Sequence, residues 1–126
     1  MSWDRDKVST ALGNLFSAAL PNVRIHTVPP LTLNAPCVVI SDADVTYNTA
    51  TFCADTATVP VIVVGGMEAT ATVEDMKNAL RAALDGSPDL GGVVHYANAT
   101  QERNWRYQSV GGVQLLTVEL VVEVQA

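Results

Sequence analysis

The feature that most constrains this chain is the alternation at its C-terminal end. Leu116, Val118, Leu120, Val122 and Val124 occupy every second position. Alternate residues of an extended chain point the same way, so these five side chains share one face. The opposite face carries Leu115, Thr117, Glu119, Val121 and Glu123. This predicts an antiparallel strand with one face on a core and the other mostly in water. Gly111-Gly112 reads as the turn before it. Upstream, Val93-Val94-His95-Tyr96 starts a strand that Trp105-Arg106-Tyr107 resumes, and the polar stretch from Asn98 to Asn104 is expected to interrupt it. A long β-hairpin therefore closes the chain.

The sheet this hairpin implies needs more strands and a covering layer. Val23 to Thr27 alternates apolar and polar residues, as a half-buried strand does. Pro36 introduces Cys37-Val38-Val39-Ile40, a continuous apolar run suited to a central strand. Ser41-Asp42-Ala43-Asp44 reads as a turn. The Thr-rich residues 45–58 suggest a hairpin or a partly exposed strand, and Pro60 to Val64 is a buried strand closed by Gly65-Gly66. Two helices supply the cover. Val8, Leu12, Leu15, Phe16 and Ala19 mark one helix face over residues of about 4–20, with Asp4 and Asp6 at its positive end and Pro21 as its stop. Val73, Met76, Leu80, Ala83 and Leu84 mark the second, with Thr72 as its expected N-cap, Asp75 three residues on, Gly86 as C-cap and Pro88 beyond. The order is helix, strands, helix, strands. It predicts a single α+β domain over 1–126: a two-layer sandwich whose mostly antiparallel or mixed sheet of four to five strands carries both helices on one face.

Composition excludes some functions. Of 126 residues, 48% are hydrophobic and 16% charged, and the net charge is -6. A disordered chain is less apolar. Seven scattered Lys and Arg residues do not build a phosphate-binding surface, so tight nucleic-acid binding is not expected, while free passage of DNA is compatible. So low a charge content also points to surface covered by other subunits. The start of the chain lacks a basic segment followed by an apolar run, so no signal peptide is expected, and no apolar stretch is long enough to span a membrane. Cys37 and Cys53 are expected as reduced, buried thiols.

Candidate chemistry is sparse. His26 and His95 read as ordinary strand residues, since a metal site needs further ligands beside them. Asp42 and Asp44 are spaced to share a divalent cation, or simply belong to a turn. Gly65-Gly66 lacks the further glycines and the Lys-Ser/Thr of a phosphate loop. Asn98-Ala99-Thr100 matches a glycosylation acceptor only by chance if the chain is not secreted. Trp105 and Tyr107 alternate with Arg106 and share a face. They are either interface anchors or core aromatics under the helices. The candidate subunit or partner contacts are Trp3 near the chain start, Tyr47 and Phe52 in residues 45–58, and Trp105, Arg106, Tyr107, Glu119 and Glu123 on the hairpin. No catalytic residue, metal or cofactor is expected.

The element order has a parallel. A helix ending at Pro21, a proline-bounded apolar strand at Pro36 to Ile40, a Thr-rich excursion to Pro60–Val64, one capped helix and a terminal hairpin together resemble the tail terminator, or tail-completion, proteins of long-tailed bacteriophages. The resemblance spans essentially the whole chain and rests on order, length and texture, without a diagnostic motif. It implies a non-enzymatic virion protein that forms a ring, commonly a hexamer. That ring caps the tail tube and presents its other side to the head connector, with DNA passing through the lumen unbound. Its location would be the head-proximal end of the tail, after assembly in the host cytoplasm. A head-closure or adaptor protein, or another minor tail protein, is the neighbouring reading. A small α+β enzyme or ligand-binding module, seeded at Asp42, Asp44 and His95, is the reading from another class.

Overall fold

The computed structural model describes residues 3–28, 30, 35–47, 55–66, 70–110 and 112–126. Eight elements follow in order: α1 (Arg5–Ala19), β1 (Arg24–His26), β2 (Cys37–Ile40), β3 (Asp44–Thr46), β4 (Thr56–Gly65), α2 (Thr70–Gly86), β5 (Tyr96–Val110) and β6 (Val113–Gln125). The fold is α+β. The sheet has six strands, against the four to five expected, in the order β1-β2-β4-β6-β5 with β3 also paired to β4. β1 and β2 run parallel, and every other pair is antiparallel.

Each element follows from local chemistry. The Asp4 side chain accepts from the Lys7 amide at 3.1 Å and caps α1, satisfying one of the free donors at a helix start. Val8, Leu12 and Phe16 lie buried on the inner stripe. Gly13 lets α1 approach closely, since a Cβ there would stand 2.9 Å from Cγ2 of Thr27. The second helix begins at Thr70, two residues before the expected cap at Thr72, and Gly86 is its last residue. The turn expected at Ser41 to Asp44 is shorter than that, because Asp44 already pairs with Thr58 as β3 opens. The pairing of β3 with β4 makes residues 45–58 a strand pair around a segment outside the described residues.

Both helices pack on one face. Leu12 and Phe16 of α1 and Val73, Leu80 and Leu84 of α2 join one cluster with Val38, Ile40, Val59, Val61 and Val63. The five alternate residues Leu116 to Val124 of β6 belong to that same cluster. The other face of β6 departs from expectation. Leu115, Thr117 and Val121 are buried, and only Glu119 and Glu123 retain substantial exposure. Leu115 packs with Cys37 and Val64 in a second, smaller cluster away from the helices.

The expected interruption at Asn98 to Asn104 is instead part of one strand with two irregularities. Ala99 pairs with Val122 and Gln101 with Val121, so β5 carries an extra residue there. A second extra residue falls between Arg103, opposite Glu119, and Arg106, opposite Thr117. Asn104 takes φ 59° at that second bulge, a left-handed conformation Asn tolerates better than most residues. The strand proper begins at Tyr96, three residues after Val93.

Candidate interaction surface

The two bulges decide which way the side chains of β5 face. Uninterrupted alternation from Ala97, which joins the core beneath the helices, would turn Glu102 away from the helix layer. The first bulge puts Glu102 opposite Leu120 and so on the helix side. There it meets Lys77 of α2. The Lys77 ammonium donates to Glu74 Oε1 at 2.6 Å and to Glu102 Oε1 at 2.9 Å. The Lys77 side chain is only 3% exposed. Burial pulls its pKa down, but hydrogen bonds to the two glutamates outweigh that and the net shift is upward. The Lys77 bond, followed by one from Trp105, holds Glu102 below the usual carboxylate value.

The second bulge restores the original parity, so Tyr107 faces the helix side opposite Leu116. Trp105 is anchored at the same place. Its indole Nε1 donates to Glu102 Oε2 at 2.7 Å, and Lys77 Nζ lies 5.8 Å from its ring centroid. Trp105 is nevertheless 38% exposed and Tyr107 56%. Of the two readings of these aromatics, the core one fails: they lie past the helical cover. On the opposite face, Arg103 donates to Glu119 Oε1 at 2.9 Å and Asn104 to its Oε2 at 2.7 Å. The Arg103 bond is the larger cause that keeps Glu119 low.

The other candidates are dispersed. Trp3 is half-buried against the core, and its backbone N–H donates to Asp55 at 2.9 Å. Tyr47 is 70% exposed just after β3. Phe52 lies outside the described residues, as does Cys53. Arg106 is exposed, and its carbonyl accepts from the Thr117 hydroxyl at 3.3 Å. Glu123 is exposed opposite Thr58 and Asn98. The structure thus sets Trp105 and Tyr107 on the helix side of β5 and Arg106 with Glu119 on the opposite face, and leaves Trp3, Tyr47 and Glu123 elsewhere.

Among the described residues, no cluster of His, Cys, Asp or Glu could hold a metal ion. The Asp42 carboxylate is instead engaged by Arg5, whose Nε lies 3.0 Å from it. Cys37 is buried, and desolvation pushes its thiol pKa up, opposite to what a reactive thiolate needs. Among the described residues, no helix is long and apolar enough to cross a membrane.

A feature no sequence signal announced is a groove of about 680 Å³ between the outer side of α1 and residues 87–93. Thr10, Ala11, Asn14 and Leu15 form one wall, and Leu90 and Val93 the other. Leu90, Gly91 and Gly92 shape that second wall with three successive positive φ angles.

Charge divides along the strands. One end holds the start of α1, the end of α2, the start of β4 and the end of β6, tied by Trp3 to Asp55 and by Ala126 N–H to the Asp55 carbonyl at 3.0 Å. Asp4 and Asp6, Asp42 and Asp44, Asp55, Asp85 and Asp89, and Glu123 lie there against Arg5 and Lys7 alone. The other end holds the hairpin turn. It carries Arg24, Lys77, Arg81, Arg103 and Arg106 against Glu74, Asp75, Glu102 and Glu119. Among the described residues the net charge is therefore strongly negative at the first end and close to neutral at the second.

No protein-family model matches this chain, and no curated protein matches it in sequence. Solved structures do share its fold. A chain described as part of the virion of a native gene transfer agent particle matches with a TM-score of 0.68 at 14% identity, over 94% of this chain and 92% of that one. A second solved structure matches with a TM-score of 0.57 at 15% identity, over 99% and 98%. At such identities the likeness establishes the fold.

Proposed function

We propose that this chain is a structural protein of a phage-like particle, without catalytic activity, and that its role is that of a tail terminator. In this reading it assembles into a ring, most simply a hexamer, that caps the tail tube. The opposite side of the ring receives the head connector, and DNA passes through the lumen. The observation that carries the reading is the end-to-end fold match to a chain of a gene transfer agent virion, which leaves no large part of either chain unmatched. The resemblance of element order to tail terminators points the same way.

The surface chemistry is in keeping with it. A net charge of -6 discourages phosphate binding in a DNA channel. Exposed aromatics at Tyr47, Trp105 and Tyr107 are residue types that anchor protein contacts. The paired carboxylates that would seed a metal-dependent enzyme are not arranged for it: Asp42 is bound to Arg5.

Deleting the reading frame from its particle-producing host tests the role. An uncapped tube has no stop, so the expected product is headless tails of irregular length, rescued by the wild-type gene. Normal particles from the deletion strain would refute it. Full tails of uniform length beside DNA-leaking heads would favour the head-closure role instead. Rescue by the combined Asp42→Ala and His95→Ala variant is expected, and its failure would favour an enzyme or ligand-binding module.

A further inference from the structure

The two bulges of β5 shift its pairing with β6 in steps. Tyr96 to Ala99 face Gln125 to Val122 in one register. Each bulge then sets β5 back by one residue, so Arg106 to Val110 face Thr117 to Val113 two residues out of that first register. Val110 pairs with Val113, which leaves a two-residue loop between them. Gly112 takes φ 82° there, the left-handed conformation such loops use.

Continuing the first register without bulges gives a second complete hairpin. Trp105 then faces Leu116, Arg106 faces Leu115 and Tyr107 faces Gln114. The loop is again two residues long, now 110–111. Two bulges together restore parity, so the residues on either side of them keep their faces in both hairpins. Gln101, Glu102 and Arg103 turn over.

The charges sit on the residues that turn over. In the observed register Glu102 meets the buried Lys77, and Arg103 stands directly opposite Glu119 and donates to it. Asn104 takes φ 59° at the bulge and donates to the other Glu119 oxygen. In the bulge-free register Glu102 stands directly opposite Glu119. Arg103 moves to the helix side, toward Lys77 and toward Arg81, which lines the same recess as Glu102 and Leu120. Two attractive pairings become two repulsive ones. The loop opposes the slip as well, because its first position needs φ above zero and a β-branched valine resists that.

We propose that the hairpin tip is a two-register device, in which Lys77, Glu102, Arg103 and Glu119 latch β5 in its bulged position and exclude a bulge-free position two residues along. Release straightens β5 and frees Trp105 from Glu102. It moves the exposed shoulder formed by Trp105 and Tyr107 about 7 Å toward the tip, at about 3.4 Å per residue. It also leaves a continuous strand edge, open to pairing with a further strand. The latched form is the protected one. The device is independent of the virion reading.

Exchanging the latch charges tests it. Glu102→Arg with Arg103→Glu makes the bulged register the repulsive one and the bulge-free register the matched one. Val110→Asn adds the Asn-Gly pair that two-residue loops favour, placed at the bulge-free loop. Cross-strand NOEs read the register directly. In the wild-type chain Leu115 should contact Gln108, and Thr117 should contact Arg106. In the triple variant the major species should show Leu115 against Arg106 and Thr117 against Asn104. A triple variant that keeps the wild-type contacts overturns the device. Positions 102 and 103 are exposed, so the variant is expected to fold. If it does not, Val110→Asn alone decides, with all four charges in place. It should show both contact sets, the bulge-free one minor, and adding Glu119→Gln should enlarge the minor set severalfold. The wild-type set alone in both of those variants overturns the device too. Either result leaves the deletion phenotype, and with it the virion reading, untouched.

Discussion

β5 and β6 are hydrogen-bonded to each other over almost their full lengths, yet they solve opposite problems. β6 lies between β4 and β5, and from Leu115 to Val124 only Glu119 and Glu123 are not buried. β5 is the edge of the sheet, and every residue from Thr100 to Tyr107 is exposed. An unbroken edge of that length invites pairing with any strand it meets. The two bulges blunt it, and the second turns Tyr107 onto the helix side, beyond Trp105, which Lys77 of α2 holds there. The two strands are specified in different ways. β6 is specified by apolar alternation, and β5 by a few polar contacts that aim particular side chains.

The contrast can be broken from the β6 side first. Leu120 is 1% exposed in the core, so Leu120→Ala should cost about 2–5 kcal/mol, read from the urea midpoint. Lys77→Met acts on the other strand. It removes two charge-assisted bonds while leaving Glu74 and Glu102 partly in water, and should cost about 1–3 kcal/mol. It should also red-shift the Trp105 emission as the ring loses its fixed seat, a change that Leu120→Ala should not produce in the folded protein. The third test is acid. Glu102 and Glu119 both sit below the ordinary 4.5, so the unfolded chain binds more protons and stability falls as pH drops below about 4.5. The contribution of Lys77 has the opposite sense, being complete below 10.5 and lost only at higher pH. Glu102→Gln should therefore flatten the acid limb of midpoint against pH without changing the shape near neutrality. The smallest effect belongs to Tyr107→Ala, which should leave stability within about 0.5 kcal/mol, as exposed positions do. A large loss there would mean that the shoulder serves the fold itself.

The same division governed what could be read from the chain. The alternation of Leu116 to Val124, the run at Cys37 to Ile40 and the stripe through Val8, Leu12 and Phe16 all report burial, and burial is written in hydrophobic period. The start of α2 at Thr70 differs from the cap expected at Thr72 because a Thr-rich stretch offers several caps of similar quality. The stretch Asn98 to Asn104 looked like a break because polar residues on both faces of an edge strand carry no period. Its bulges come from pairing with β6, which lies remote in sequence. The Lys77–Glu102–Trp105 cluster was invisible for the same reason. Glu74 and Lys77 stand at helical spacing, but nothing local says that Glu102 will turn inward to meet them. Trp105 and Tyr107 were legible as a pair sharing a face, and only the position of α2 could tell that they lie outside its cover. The groove beside α1 depends on three left-handed residues in a loop, a conformation Leu90 does not advertise.

This chain is proposed above all to function as a built-in part of a particle. Purified particles bearing a small epitope at the protein's N-terminus, labelled with gold and imaged, test that most directly. The expected result is one cluster of label per particle at the junction of tail and head. Particles that carry no label, while the tagged protein remains soluble and unincorporated in the lysate, would contradict it.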